Sequence, residues 1–169
     1  MDQHLYVRLA ACRPGLPRGA MEVVRMADIA TQYRKYLAAF NAQDHDTIDT
    51  LVADRLDFRI SGGVKVTTKG ELRAENERWL RAFPDGQATV DELVVSGNTV
   101  FARGSSSGTH NGPLPTTVGY ELAPTGRKVT EAWLEIARYE GDLYIGGELI
   151  YDRMGIAEQL GLMPTAATT

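Results

Sequence analysis

From Val24 to Phe40 apolar side chains recur every three or four residues, at Ile29, Tyr33, Tyr36, Leu37 and Phe40. That period predicts an amphipathic helix with one buried face. The polar run Asn41-Ala42-Gln43-Asp44 ends it, and Asp46 offers an N-cap for a short second helix carrying Ile48, Leu51 and Val52. Leu56 to Ile60 then reads as a strand, Ser61-Gly62-Gly63 as a turn and Val64 to Thr67 as a small returning strand. A third helix is predicted over Lys69 to Phe83, closed by Pro84-Asp85-Gly86. Thereafter strand patterns dominate. Ala88 to Val95 and Val100 to Thr109 flank a Ser96-Gly97-Asn98 turn, and Arg127 to Tyr139 and Leu143 to Tyr151 flank Glu140-Gly141-Asp142. A helix over Gly155 to Leu160 closes the chain, with Asp152 placed to cap it. Three helices followed by an antiparallel meander predict an α+β domain with its helices on one side of a single sheet.

The last hairpin holds the acids that could carry chemistry. Side chains alternate across a strand, so Trp133, Glu135, Ala137 and Tyr139 share one face and Glu135 sits among apolar neighbours. On the return strand Gly146-Gly147 predicts a bulge that re-aims Glu148. Between His110 and Thr125 an irregular stretch with Pro113, Pro115, Pro124 and Tyr120 suits a lid or a surface excursion. His110, at the end of a strand, is a candidate proton carrier or hydrogen-bond donor. Tyr36, Phe58 and Trp79 are candidate wall residues in contact with substrate, with ordinary core packing as the alternative for each. Ser105-Ser106-Ser107 makes an unusually polar strand, but no Ser-His-Asp order supports a hydrolase nucleophile.

Composition narrows the classes. The chain has 169 residues, 43% of them hydrophobic, and a net charge of −4, which suits one globular domain without the basic stripe that nucleic acid requires. No apolar run approaches a membrane span. A single cysteine, Cys12, excludes an internal disulfide framework and suits a reducing, cytoplasmic location. His4, His45 and His110 are too dispersed for a metal-ligand spacing, so no metal site is expected. Residues 1–22 read as a flexible extension, 23–164 as the domain and 165–169 as a tail.

Several segments, in order, carry a resemblance: the run from Tyr33 to Asp44, Ala82-Phe83-Pro84-Asp85, Gly108-Thr109-His110, Thr125-Gly126-Arg127, the strand around Glu135, Asp152-Arg153-Met154-Gly155 and Gln159-Leu160-Gly161. Over Val24 to Pro164 the chain resembles the SnoaL-like polyketide cyclases of the NTF2-like superfamily. The resemblance implies a cone-shaped fold, a curved and mostly antiparallel sheet wrapping helices around one deep, largely apolar pocket, with no metal or organic cofactor. It also implies an acid/base, aldol-type cyclisation or isomerisation of a bulky apolar polyketide-like metabolite. The family's catalytic aspartate falls on Glu148 when counted from Gly141 and on Leu149 when counted back from Asp152, because the hairpin is one residue longer here. With the bulge expected at Gly146-Gly147, the acid is assigned to Glu148. The second functional position, a histidine in some cyclases, matches Glu135, and His110 is the third expected catalytic group. Tyr36, Phe58, Trp79 and Asp152 are then the expected substrate contacts.

Two other relatives fit less well. A ketosteroid-isomerase likeness has Tyr36 and Glu135, but its shuttling aspartate falls near Ile60. An epoxide-hydrolase set would need Arg138 beside Glu135, and the two alternate to opposite faces. The competing class is a non-catalytic NTF2-like module, whose pocket binds a hydrophobic metabolite or is plugged by its own aromatics and whose sheet makes a homodimer. A homodimer or higher homo-oligomer is expected.

Overall fold

The computed structural model describes residues 18–116, 119 and 121–163, with side chains from residue 29 onward in that set. Helix α1 spans Arg18–Asn41, α2 His45–Leu51, α3 Lys69–Ala82 and α4 Arg153–Gln159. Strands β1 Val52–Ile60 and β2 Val64–Thr68 separate α2 from α3, so the three N-terminal helices are interleaved with a hairpin rather than consecutive. The meander follows as β3 Gln87–Ser96, β4 Thr99–Thr109, β7 Lys128–Glu140 and β8 Leu143–Tyr151, with a small β5 Leu114–Pro115 and β6 Glu121–Leu122 ladder between. α1 starts ahead of the expected Val24. Residues 1–17 of the expected extension, Tyr120 and the tail from 164 lie outside the described residues.

The helix starts follow local chemistry. Asp44 rather than Asp46 caps α2, accepting from the Thr47 backbone at 3.0 Å, while Asp46 sits inside the first turn. Thr68 caps α3 by accepting from Glu71 N at 3.2 Å, and Glu71 returns to accept from Thr67 N at 2.6 Å, which satisfies two otherwise orphan donors. The first residues of the loop expected over 110–125 are docked: Asn111 and Gly112 both donate to the Ala82 carbonyl at the end of α3.

The six main strands form one curved sheet in the order β2-β1-β8-β7-β4-β3, antiparallel throughout except for the parallel β1–β8 pair. Its inner face meets α1 and α3. Ile29 and Tyr33 of α1, Ile48 of α2, Leu72 of α3, and Val52, Phe58, Val66, Val100, Ala137 and Tyr144 from the sheet make the main core. A second cluster of Phe83, Val129, Ile156 and Leu160 seats α4. The outer face keeps Val94, Phe101, Leu134 and Ile150 exposed. Among the described residues no helix is long and apolar enough to cross a membrane.

Register within the last hairpin decides the site. Tyr139 pairs with Tyr144 and Arg138 with Gly146, so Ile145 is the extra residue and the bulge lies one residue before the glycine pair. The glycines serve another purpose. A Cβ on Gly146 would come within 2.3 Å of Asp57 O on β1, and one on Gly147 within 1.7 Å of Ile136 O on β7. Both have positive φ, and both let neighbouring backbones close in on β8 from its two sides.

Candidate functional site

Cross-strand partners in an antiparallel pair point to the same face of the sheet. Trp133 pairs with Tyr151 and Glu135 with Leu149, and all four side chains line a cavity of about 130 Å³ between the sheet and the helices. Glu131 and its β4 partner Ser106 extend the same row. Phe58 and Ile60 of β1 continue the wall, α1 contributes Tyr33, Tyr36, Leu37 and Phe40, and α3 contributes Glu75, Asn76, Arg78 and Trp79. Gly104, opposite Trp133, makes room for the indole: a Cβ there would lie 2.5 Å from Trp133 Cζ2 and 1.8 Å from Thr89 O.

Glu135 is held through both carboxylate oxygens. Tyr33 OH donates to its Oε2 at 2.7 Å and Tyr144 OH donates to Oε1 at 3.1 Å. Burial raises the Glu135 pKa, and the two tyrosine hydrogen bonds oppose that shift by favouring the anion. The tyrosines respond in turn. Burial raises the pKa of both Tyr33 and Tyr144, and the adjacent Glu135 charge raises them further, so they remain neutral donors. Tyr144 is fixed by stacking on Tyr36 at 5.8 Å and by an edge contact with Phe58 at 5.7 Å. Asn76 donates to Tyr36 OH at 3.3 Å, tying this aromatic wall to α3.

At the other end of the row Glu131 is half-buried, and its shielded Oε2 makes no hydrogen bond. Burial, and secondarily the negative charge of Asp152, raise its pKa from 4.5 to about 7. A carboxyl held near neutrality can exchange protons in either direction at ordinary pH. Sequence reasoning missed Glu131, although the alternation that selects Trp133 and Glu135 selects it equally, two residues earlier. Tyr33 is legible in the sequence only as part of the apolar face of the first helix, and Tyr144 is not singled out there.

The structure gathers Glu135, Tyr36, Phe58 and Trp79 at the cavity and leaves three expected residues away from it. Glu148 pairs with Ile136, and its carboxylate lies 3.6 Å from Arg59 Nη1 on the outer face. The reason is the bulge: with the extra residue taken up at Ile145, Leu149 turns inward and Glu148 outward. The assignment to Glu148 is therefore corrected: Leu149, not Glu148, faces the cavity opposite Glu135. His110 is fully buried under Phe83, with ring centroids 5.4 Å apart. Thr125 N donates to its Nδ1 at 3.2 Å, so Nδ1 is an acceptor and the proton resides on Nε2, which has no partner. Burial pushes its pKa below the ordinary value. His110 thus pins the loop end to the core and does not reach the cavity. Asp152 caps α4, accepting from Gly155 N at 2.9 Å, and affects the cavity only through its charge on Glu131. Among the described residues no His, Cys, Asp or Glu group is arranged to hold a metal ion.

The fold is shared with solved structures of similar proteins. AclR from Streptomyces galilaeus, a proposed hydroxylase, is 22% identical and superposes with a TM-score of 0.69 over 83% of this chain and 89% of that one. TsrD from Streptomyces laurentii is 26% identical, with a TM-score of 0.68 over 81% and 97%. A proposed SnoaL-like polyketide cyclase from Jannaschia sp. CCS1 is 16% identical, with a TM-score of 0.72 over 83% and 96%. No curated protein matches the sequence significantly. The family model of the SnoaL-like polyketide cyclases matches residues 30–160. On that match, and with the fold agreeing, the chain belongs to the SnoaL-like polyketide cyclase family.

Proposed function

We propose that the protein is a cofactor-independent cyclase or isomerase that performs acid/base chemistry on an apolar, polyketide-like metabolite held in the cavity between β7 and the helices. The observation that carries this reading is Glu135, an acid set in an apolar wall with both oxygens engaged by neutral tyrosines. An enclosed carboxyl of raised pKa, backed by two phenols, can give a proton to a carbonyl oxygen and stabilise the charge that develops there. The cavity walls supply the orientation that brings the reacting carbons together.

The test uses an aryl triketone that can close a ring by aldol condensation. Product formation is followed by mass spectrometry. Wild-type protein should accelerate closure, and Glu135→Gln should lower the rate by about 100-fold or more while circular dichroism stays unchanged. Unchanged turnover in that variant would remove Glu135 from the mechanism.

The apolar Leu149 opposite Glu135, where Glu148 was expected to face the cavity, favours a second reading, a module that binds a hydrophobic metabolite without transforming it. The chain's two tryptophans, Trp79 and Trp133, both line the cavity, so their fluorescence reports occupancy directly. Ligands bound tightly and recovered unchanged would support it. For either reading the proposed assembly is a homodimer joined through the outer face of the sheet.

A further inference from the structure

Four charged side chains line the cavity, Glu75, Arg78, Glu131 and Glu135. Three of them are matched within the protein: Arg78 Nη2 lies 2.5 Å from Glu75 Oε2, and Glu135 accepts from Tyr33 and Tyr144. Glu131 has no such match. Among the described residues no donor and no cation pairs with it, and the two arginines that act on the neighbouring Tyr151 are engaged elsewhere, Arg78 with Glu75 and Arg153 with the Ser61 carbonyl at 3.4 Å. We infer that this end of the cavity is a binding site for a protonated amine carried on an apolar body, with the Glu131 carboxylate as its counter-ion and the rings of Trp133, Trp79 and Tyr151 as its walls. The inference rests on the reading above only in taking the cavity as the ligand site, and it adds a positive charge at one end of the ligand.

Position on the sheet brings the acid and the rings together. Glu131 and Trp133 lie two residues apart on one face of β7, about 7 Å along the strand. Tyr151 stands across from Trp133 on β8, and Trp79 of α3 approaches Tyr151 with ring centroids 6.4 Å apart and planes at 57°. Rings set at such an angle offer π surface on more than one side of a cation, which aromatic faces attract within about 6 Å of the ring centroid. Ser106, opposite Glu131 on β4, adds a hydroxyl that can accept an ammonium N–H. Glu131 Oε2 is shielded, so the ionic contact falls to the other oxygen, Oε1. A neutral ligand would close over an unpaired carboxylate, which is costly, whereas an ammonium ion supplies the charge that the protein does not.

The charges around Glu131 favour the same occupant. Asp152 at the end of β8 is a second acid, Tyr151 beside it is held neutral by burial, Glu75 and Arg78 on α3 cancel one another, and Arg153 on α4 is turned to Ser61. An anionic ligand would meet this acidic surround without a free cation to receive it. Without a counter-ion, burial and the Asp152 charge hold the Glu131 pKa at about 7. A bound ammonium favours the carboxylate form, so binding lowers that pKa, and below about pH 7 it expels a proton.

The probes are 2-aminoindane, an ammonium ion at neutral pH, and 2-indanol, which matches its shape without the charge. Quenching of the two tryptophans, both in the site, reads binding. At pH 8 the wild type should bind the amine at least about 10-fold more tightly than the alcohol, and that preference should shrink as pH falls through about 7. Glu131→Gln should abolish the preference with the circular dichroism unchanged, and Glu131→Asp should retain part of it. Calorimetry of the wild type at pH 6, in buffers of different ionisation enthalpy, should show proton release with the amine and none with the alcohol. Absent amine binding, equal affinity for the two probes in the wild type, or an amine preference that persists in Glu131→Gln would overturn the site. Each of these results leaves the acid/base reading of Glu135 standing, because that reading is judged by turnover.

Discussion

Leu149 stands directly across the sheet from Glu135, and both side chains enter the cavity. Replacing Leu149 by Asp would set two carboxyls opposite each other, with Cβ atoms about 5 Å apart. Two such groups raise one another's pKa. Raised folded-state values mean that the stability is present below the unfolded value of about 4 and is lost as pH rises. Leu149→Asp should therefore lower the melting temperature more at pH 8 than at pH 5. An equal drop at both would show that the carboxyls do not interact.

Glu131 carries a measurable linkage of its own. Its folded pKa of about 7 exceeds the reference 4.5, so the folded protein binds the proton more tightly. Its contribution to stability is complete below about pH 4.5 and disappears as pH rises through about 7. Glu131→Gln should thus stabilise the protein at pH 8, by on the order of 2 kcal/mol, and leave it nearly unchanged at pH 4.5. Urea titrations at the two pH values measure the difference.

His110 has the opposite sign. Its folded pKa lies below the ordinary histidine value because the ring is buried, so the unfolded chain takes up the proton first. Stability is full above about pH 6.5 and declines as pH falls from there to the lower folded value. His110→Phe, which keeps the contact with Phe83 and cannot charge, should flatten that decline. The same slope in the variant would assign it to another group.

Oligomeric state tests the outer face. Phe101 pairs with Ile136, and Leu134 with Ile150, across the outward side of the sheet, with Arg103–Glu92 and Arg59–Glu148 ion pairs on either side. Light scattering is expected to give twice the chain mass for the wild type, and the single chain mass for Phe101→Glu or Leu134→Glu with the fold intact. A monomeric wild type would remove the proposed dimer.

Much of this architecture is written in local patterns. The three- and four-residue spacing of Tyr33, Tyr36, Leu37 and Phe40 identifies the helix that roofs the cavity, and strict alternation from Trp133 to Tyr139 puts Glu135 on its wall. Glu131 follows from that same alternation once the row is extended. The position of the bulge does not. Gly146-Gly147 looks like the flexible point of β8, but those glycines are committed to close backbone approach from Asp57 and Ile136, which are remote in sequence, and the extra residue is taken up beside them. His110 is similar: its burial depends on Phe83 and on the Thr125 loop end, contacts that no local pattern encodes.

The Ile145 bulge makes β8 a ruler that reads from its far end. A change in the length of the hairpin tip is absorbed before the strand reaches the cavity, so the phase of Leu149 and Tyr151 is tied to the Asp152 cap rather than to the Gly141 turn. Ser61 enforces this, donating its backbone N–H to the Leu149 carbonyl at 2.9 Å and accepting from Tyr151 N at 3.0 Å through Oγ. A residue added or removed at the hairpin tip would thus leave Leu149 and Tyr151 facing the cavity, whereas one inserted between Gly147 and Leu149 would exchange Leu149 for a neighbour.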